Sequence, residues 1–131
     1  MSVLTDCLES VYRVGQRWSY QTRPQEHASI LVVVRVDRHP VLGVIVHVSV
    51  TGLSIRNPSA TSGIAEEVAH LPFSEAAIDG SVTGLLEENP ILPDFLEGYM
   101  QWRNAFDRGK AGVFQISVAE AIDRLENSLN T

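Results

Sequence analysis

Four histidines, His27, His39, His47 and His70, are the side chains of this sequence that titrate near neutrality, and they stand 12, 8 and 23 positions apart. Metal ligands supplied by one helix or hairpin sit only a few residues apart, so neither a metal site nor a cofactor is expected. His27 and His39 fall in loops, where solvation accounts for them. His47 lies within an alternating run, and Arg35 and Ser49 join it as a polar spot on an otherwise apolar strand face. One reading of that spot is a ligand or general-base site, with Arg35 holding a carboxylate or phosphate. The other is a hydrogen-bonded histidine beneath a helix, supported by Arg35. The second is preferred, because no carboxylate is placed by the sequence to orient the ring. His70, in Ala69-His70-Leu71-Pro72-Phe73, is read in the same way. Arg23 and Glu26 bracket Pro24 and are candidates to pair across that turn or to meet a partner.

Other chemistry is missing. Gly80-Ser81-Val82-Thr83-Gly84 has valine where a nucleophile elbow needs serine, and Gly109-Lys110-Ala111-Gly112 lacks the spacing and hydroxyl of a phosphate-binding loop. Cys7 is the only cysteine, which excludes an intramolecular disulfide and a thiolate cluster and fits a reducing compartment. With one Lys, nine Arg and a net charge of −6, the chain carries no basic run for nucleic acid. Its start bears Asp6 and Glu9 and no long apolar run, and no segment has the length of a membrane span. A cytoplasmic protein, without membrane or nucleic-acid partners, is expected.

The elements that must position these residues begin with two alternating runs. Ile30, Val32, Val34 and Val36 alternate with Ser29, Leu31, Val33 and Arg35, and Val44, Val46, Val48 and Val50 with Ile45, His47, Ser49 and Thr51. The segment Asp37 to Gly43 reads as the connection of an antiparallel hairpin. With Val36 opposite Val44, the even-numbered aliphatics share one face and His47 lies opposite Val33, diagonal to Arg35. Leu31, Val33 and Ile45 then lie on the other face, where they are candidates for burial in a homodimer.

Around this hairpin, residues 1–14 repeat apolar positions at helical spacing and are read as a short helix. Trp18 and Tyr20 form one face of a strand and are assigned to the core rather than to a stacking platform. Gly52 marks a bend, and Ile64 to Leu71 reads as a further strand. Ser74 caps a helix expected to reach about Asn89, weakened by Gly80 and Gly84. Pro93 opens a helix carrying Phe95, Tyr99, Trp102 and Phe106 as a core stripe, which Gly109 stops. Val113 to Ile116 reads as a short strand, and Ser117-Val118-Ala119-Glu120 has the form of a capping box before a last helix.

Four stretches together resemble a group of small uncharacterised bacterial proteins: Gly15 to Glu26, Val46-His47-Val48-Ser49, His70-Leu71-Pro72-Phe73-Ser74, and Gly98-Tyr99-Met100-Gln101-Trp102-Arg103. The resemblance runs from Gly15 to Leu125, implies a bacterial cytoplasmic setting, and brings no activity or catalytic residue with it.

At 131 residues and 44% hydrophobic composition, the chain is the size of one domain with a core of its own. The expectation is a single α+β domain. An N-terminal segment (1–14) precedes mainly strands (15–73) and then mainly helices with one short strand (74–131). The sheet is mostly antiparallel and strongly bent, open or curled into a partly closed barrel, and packed by two or three helices from the C-terminal half. The expected function is noncatalytic protein binding, to another protein or to itself, of the kind an acidic immunity or antitoxin-like protein performs. The alternative is a small enzyme or ligand-binding domain built on Arg35, His47 and Ser49.

Overall fold

The two valine-rich runs form the long central strands of the sheet in a computed structural model that describes residues 2–131. Met1, at the start of the expected N-terminal helix, lies outside the described residues. In chain order the elements are β1 (Thr5–Asp6), β2 (Gln16–Tyr20), β3 (Ile30–His39), β4 (Gly43–Thr51), β5 (Ile55–Arg56), β6 (Ile64–Ala65), β7 (Val68–Ser74), α1 (Glu75–Asp79), β8 (Val82–Glu88), α2 (Leu96–Asp107) and α3 (Val118–Leu129). The antiparallel sheet runs β7-β4-β3-β2-β8, with β1 beside β3, and β5 and β6 pair separately. The fold is α+β with the helices in the C-terminal half. The sheet ends at β7 and β8 and does not close, so the barrel alternative falls away.

The hairpin forms with a different register from the one expected. Val36 pairs with Val46, not Val44, and His47 sits directly opposite Arg35, not Val33. Between Val33 and Arg35 the pairing slips, leaving Val34 as the extra residue of a β-bulge. Val33 and Val36 therefore both reach the core cluster, whereas Val34 and Arg35 line a cleft on the outside of it. The even-numbered aliphatics do not all share one face: Leu31, Val33, Val36, Val46, Val48 and Val50 are the ones in the core cluster. Leu31, Val33 and Ile45 are fully buried, which removes them as a dimer surface.

A second slip, between Val48 and Val50, gives β7 one extra residue opposite Ser49. Val68 and Leu71 both pack on the core while Ala69 and His70 lie between them. The Ser49 hydroxyl donates to the Ala69 carbonyl at 2.8 Å, satisfying a group released by the bulge.

The core lies between this sheet and two helices, α1 through Ala77 and Ile78, and α3 through Val118, Ala121 and Ile122. A five-residue helix has no stability of its own. Burial of Ile78, worth about 1.5–3 kcal/mol, and the Ser74 cap on the Ala77 N–H hold α1 in place. The Ser117 hydroxyl caps α3 by accepting from the Glu120 N–H, as the capping-box pattern implies.

Four local expectations need correction. Residues 2–14 are not helical; they carry only β1, tied to β3 by the Cys7 N–H on the Val36 carbonyl. The helix from Ser74 ends at Gly80, and Val82 to Glu88 instead form β8 along β2, where pairing partners outweigh local propensity. α2 begins at Leu96 with Phe95 as its N-cap, three residues beyond Pro93, and ends where Gly109 adopts φ +71°. Residues 113–116 supply only a bridge from Phe114 to Phe73, along the outer edge of β7.

Candidate functional site

α2 covers the sheet face opposite the core, and its approach is set by a residue without a side chain. A Cβ on Gly98 would stand 3.2 Å from the Cβ of His70. Through that gap Tyr99 and Trp102 reach the His47 ring, with centroids 4.9 and 4.8 Å away. The Trp102 indole is fixed in turn by its N–H on the Gly112 carbonyl at 2.8 Å. The aromatic stripe is thus the roof of a polar cluster as well as packing.

Beneath this roof runs a chain of hydrogen bonds. Asp37, fully buried, lies on β3 two residues beyond Arg35, on the same side of the strand. One carboxylate oxygen is 3.0 Å from His47 Nε2 and accepts from the Tyr99 hydroxyl at 2.7 Å. The other accepts from Arg35 Nε at 3.0 Å. A carboxylate at Nε2 places the neutral ring's proton there, so His47 Nδ1 accepts from His70 Nε2, 2.8 Å away. His70 keeps its Nδ1 lone pair. Arg103 donates to the Tyr99 oxygen at 3.1 Å, and the Arg35 guanidinium lies 4.9 Å above the Tyr99 ring.

The electrostatics follow from burial and pairing. Desolvation pushes the Asp37 carboxyl up, but hydrogen bonds from His47, Tyr99 and Arg35 more than offset it and hold Asp37 below the usual carboxylate range. Burial lowers His47 despite the opposing pull of Asp37. Burial also takes His70 down to about 3, aided by its neighbour His47. Tyr99 rises to about 12, first through burial and then because its proton is held by Asp37. For Arg35, burial works against the charge, yet Asp37 and Asp6 raise its pKa above the ordinary value. At neutral pH the cluster therefore holds two uncharged imidazoles beside the Asp37 carboxylate, with the guanidinium groups of Arg35 and Arg103 at its edge.

Of the residues singled out from sequence, Arg35, His47 and His70 come together. Ser49 does not join them; it holds the β7 bulge. Arg23 and Glu26 form a separate buried clamp, with Arg23 Nε and Nη2 on the two carboxylate oxygens at 2.8 and 2.7 Å and Nη1 reaching Asp123 and Glu126 of α3. His27 is exposed, and His39 ends β3, with its Nδ1 accepting from the Val41 and Leu42 amides. Sequence reasoning missed Asp37, Tyr99, Trp102 and Arg103. The signal for Asp37 was its place two residues after Arg35, hidden by reading it as the start of a loop.

Arg35 has a second environment on its outer side. Its Nη2 meets Asp6 at 2.6 Å, and the side chain is 32% exposed. It stands in a cleft of about 340 Å³ between β3 and the N-terminal segment, walled by Leu8, Val14, Val34 and Phe95. Chemically, the buried bonds orient one guanidinium and leave its far end to the cleft. Among the described residues, no group of three or more His, Cys, Asp or Glu side chains is arranged to hold a metal ion, and no helix is long and apolar enough to cross a membrane. No protein-family model matches this chain, and no curated protein or solved structure matches it.

Proposed function

We propose that the chain is a noncatalytic binding domain and that Arg35 is its recognition group. The observation that carries this reading is the two-sided setting of Arg35, with Nε anchored on fully buried Asp37 and the Nη end in a cleft, where it meets the exposed carboxylate of Asp6. A planar guanidinium held this way is prepared for a carboxylate or phosphate, because its orientation is fixed before the partner arrives. Acid–base catalysis fits less well. His47 and Asp37 have no exposure, and His70, its pKa lowered by burial and by its neighbour His47, stays uncharged at neutral pH.

The test is nitrogen-detected NMR of the arginine side chains during titration with acetate, benzoate and phosphate. Arg35 Nε and the Val34 amide are expected to shift together, His70→Gln to retain the response, and Arg35→Gln to abolish it. Shifts that are scattered over the surface and survive in Arg35→Gln would overturn the reading.

A further inference from the structure

The cleft beside Arg35 exists because β3 lacks a continuous neighbour there. The Gly15 N–H meets the Val33 carbonyl at 2.8 Å and the Cys7 N–H meets the Val36 carbonyl at 3.0 Å. Between these two bonds, residues 8–14 arch away from the bulge at Val34. The arch carries apolar side chains that stand in water: Leu8 is 92% exposed and Val14 52%. Both line the cleft together with Val34 and Phe95. Its volume, about 340 Å³, is at the small end of ligand pockets, which run from roughly 300 to 1,000 Å³.

The charge of the lining is opposite to that of the chain. Arg13 and Arg35 line the cleft against the single carboxylate of Asp6, in a protein with net charge −6. That carboxylate already sits on Arg35 Nη2, which shows the chemistry the guanidinium accepts at this position. Asp6 is held loosely: its side chain is 73% exposed and it belongs to a strand of two residues. Among the described residues, Arg35 Nη1 has no hydrogen-bond partner, so a second oxygen can be taken bidentately.

Resting on the reading of Arg35 as the recognition group, we infer that the cleft binds an amphipathic monocarboxylate. Its carboxylate displaces Asp6 from Arg35, and its hydrocarbon end lies under the arch against Leu8, Val14, Val34 and Phe95. The Arg35 guanidinium, oriented by Asp37 at one end of a mostly apolar slot, selects a ligand with a charged head and a short tail.

Calorimetric titration with octanoate, octanol, acetate and phosphate tests this on the full chain. Octanoate is expected to bind about tenfold or more tighter than either octanol or acetate, since each lacks one half of the recognition. Asp6→Asn should tighten octanoate severalfold by removing the competing carboxylate, and Val14→Glu should weaken it about tenfold by placing a charge in the apolar wall. Both positions are exposed, so these variants carry the test if Arg35→Gln fails to fold. Acetate or phosphate binding that needs Arg35 but gains nothing from an alkyl tail would overturn this inference and leave the role of Arg35 standing. A peptide C-terminus that outcompetes octanoate at the same residues would overturn it in favour of a protein ligand. Absence of any binding that responds to Asp6→Asn, Val14→Glu and Arg35→Gln would overturn both.

Discussion

His47 Nδ1 and His70 Nε2 meet at 2.8 Å with the rings inclined by 22° and the centroids 5.0 Å apart. That centroid separation with so short a nitrogen contact means two nearly coplanar imidazoles joined edge to edge, not stacked. Only one tautomer of each ring satisfies this contact and the Asp37 carboxylate together. Nitrogen NMR is expected to find both histidines protonated at Nε2 and bare at Nδ1 at pH 7. An Nδ1-protonated His47 would contradict the chain of bonds described for the site.

Stability should fall on mild acidification. The folded pKa values of both histidines are lowered from 6.5, that of His70 to about 3. Below 6.5 the unfolded chain therefore takes up protons that the folded chain refuses, and the stability fully present above 6.5 is lost as pH falls toward the folded values. His70, lowered to about 3, contributes a slope approaching about 1.4 kcal/mol per pH unit below 6.5, and His47 adds to it in the same direction. Urea unfolding at pH 7.5, 6 and 5 measures it, and His70→Gln should flatten the profile. A constant midpoint over that range would contradict the lowered values.

Asp37→Asn removes the charge that Arg35, His47 and Tyr99 all address, and should destabilise the fold by about 3–5 kcal/mol. Tyr99→Phe deletes one hydrogen bond to that charge, at about 1.5–3 kcal/mol. Because the two share an oxygen at 2.7 Å, their effects should not add. Additive losses in a double-mutant cycle would argue that Tyr99 acts only through packing.

The clamp at the β2–β3 turn makes a separate prediction. Arg23 and Glu26 are 5% and 2% exposed, and Glu26 also accepts from the Ser54 N–H. Arg23→Met strands a buried carboxylate and should cost about 3–5 kcal/mol. Asp123→Asn, at a side chain 60% exposed, should cost about 0–1 kcal/mol. Equal losses, measured by denaturant unfolding, would mean that the α3 contact matters as much as the buried pair.

The central hairpin, the capped last helix and the gathering of Arg35 with His47 were legible from alternation and capping patterns. The faces were not, since a bulge adds a residue without marking it: nothing in Leu31-Val32-Val33-Val34-Arg35 distinguishes Val34 from its neighbours. The segment Val82 to Glu88 was misread because its apolar spacing suits a helix, and only its lodging along Gln16 to Tyr20 makes it a strand. Residues 2–14 were misread for a related reason: Val3, Leu4, Leu8, Val11 and Tyr12 repeat at helical spacing, but only Leu4 and Tyr12 are buried, while Val3, Leu8 and Val11 stand in water, so the spacing reports no local turn. Arg23 and Glu26 were paired correctly, but α3 as the lid of that pair could not be read locally.

The steps from Val33 to Val36 and from Val68 to Leu71 also bear on how this chain tolerates changes in length. Deleting Val34 would leave Leu31, Val33 and Val36 in unbroken alternation on the inner face, still opposite Val50, Val48 and Val46, and would remove only the outward step that lines the cleft beside Arg35. Two places in the middle of strands can thus lose a residue without exchanging the interior, and a realignment that opens a one-residue gap there would describe the same core behind a straighter strand.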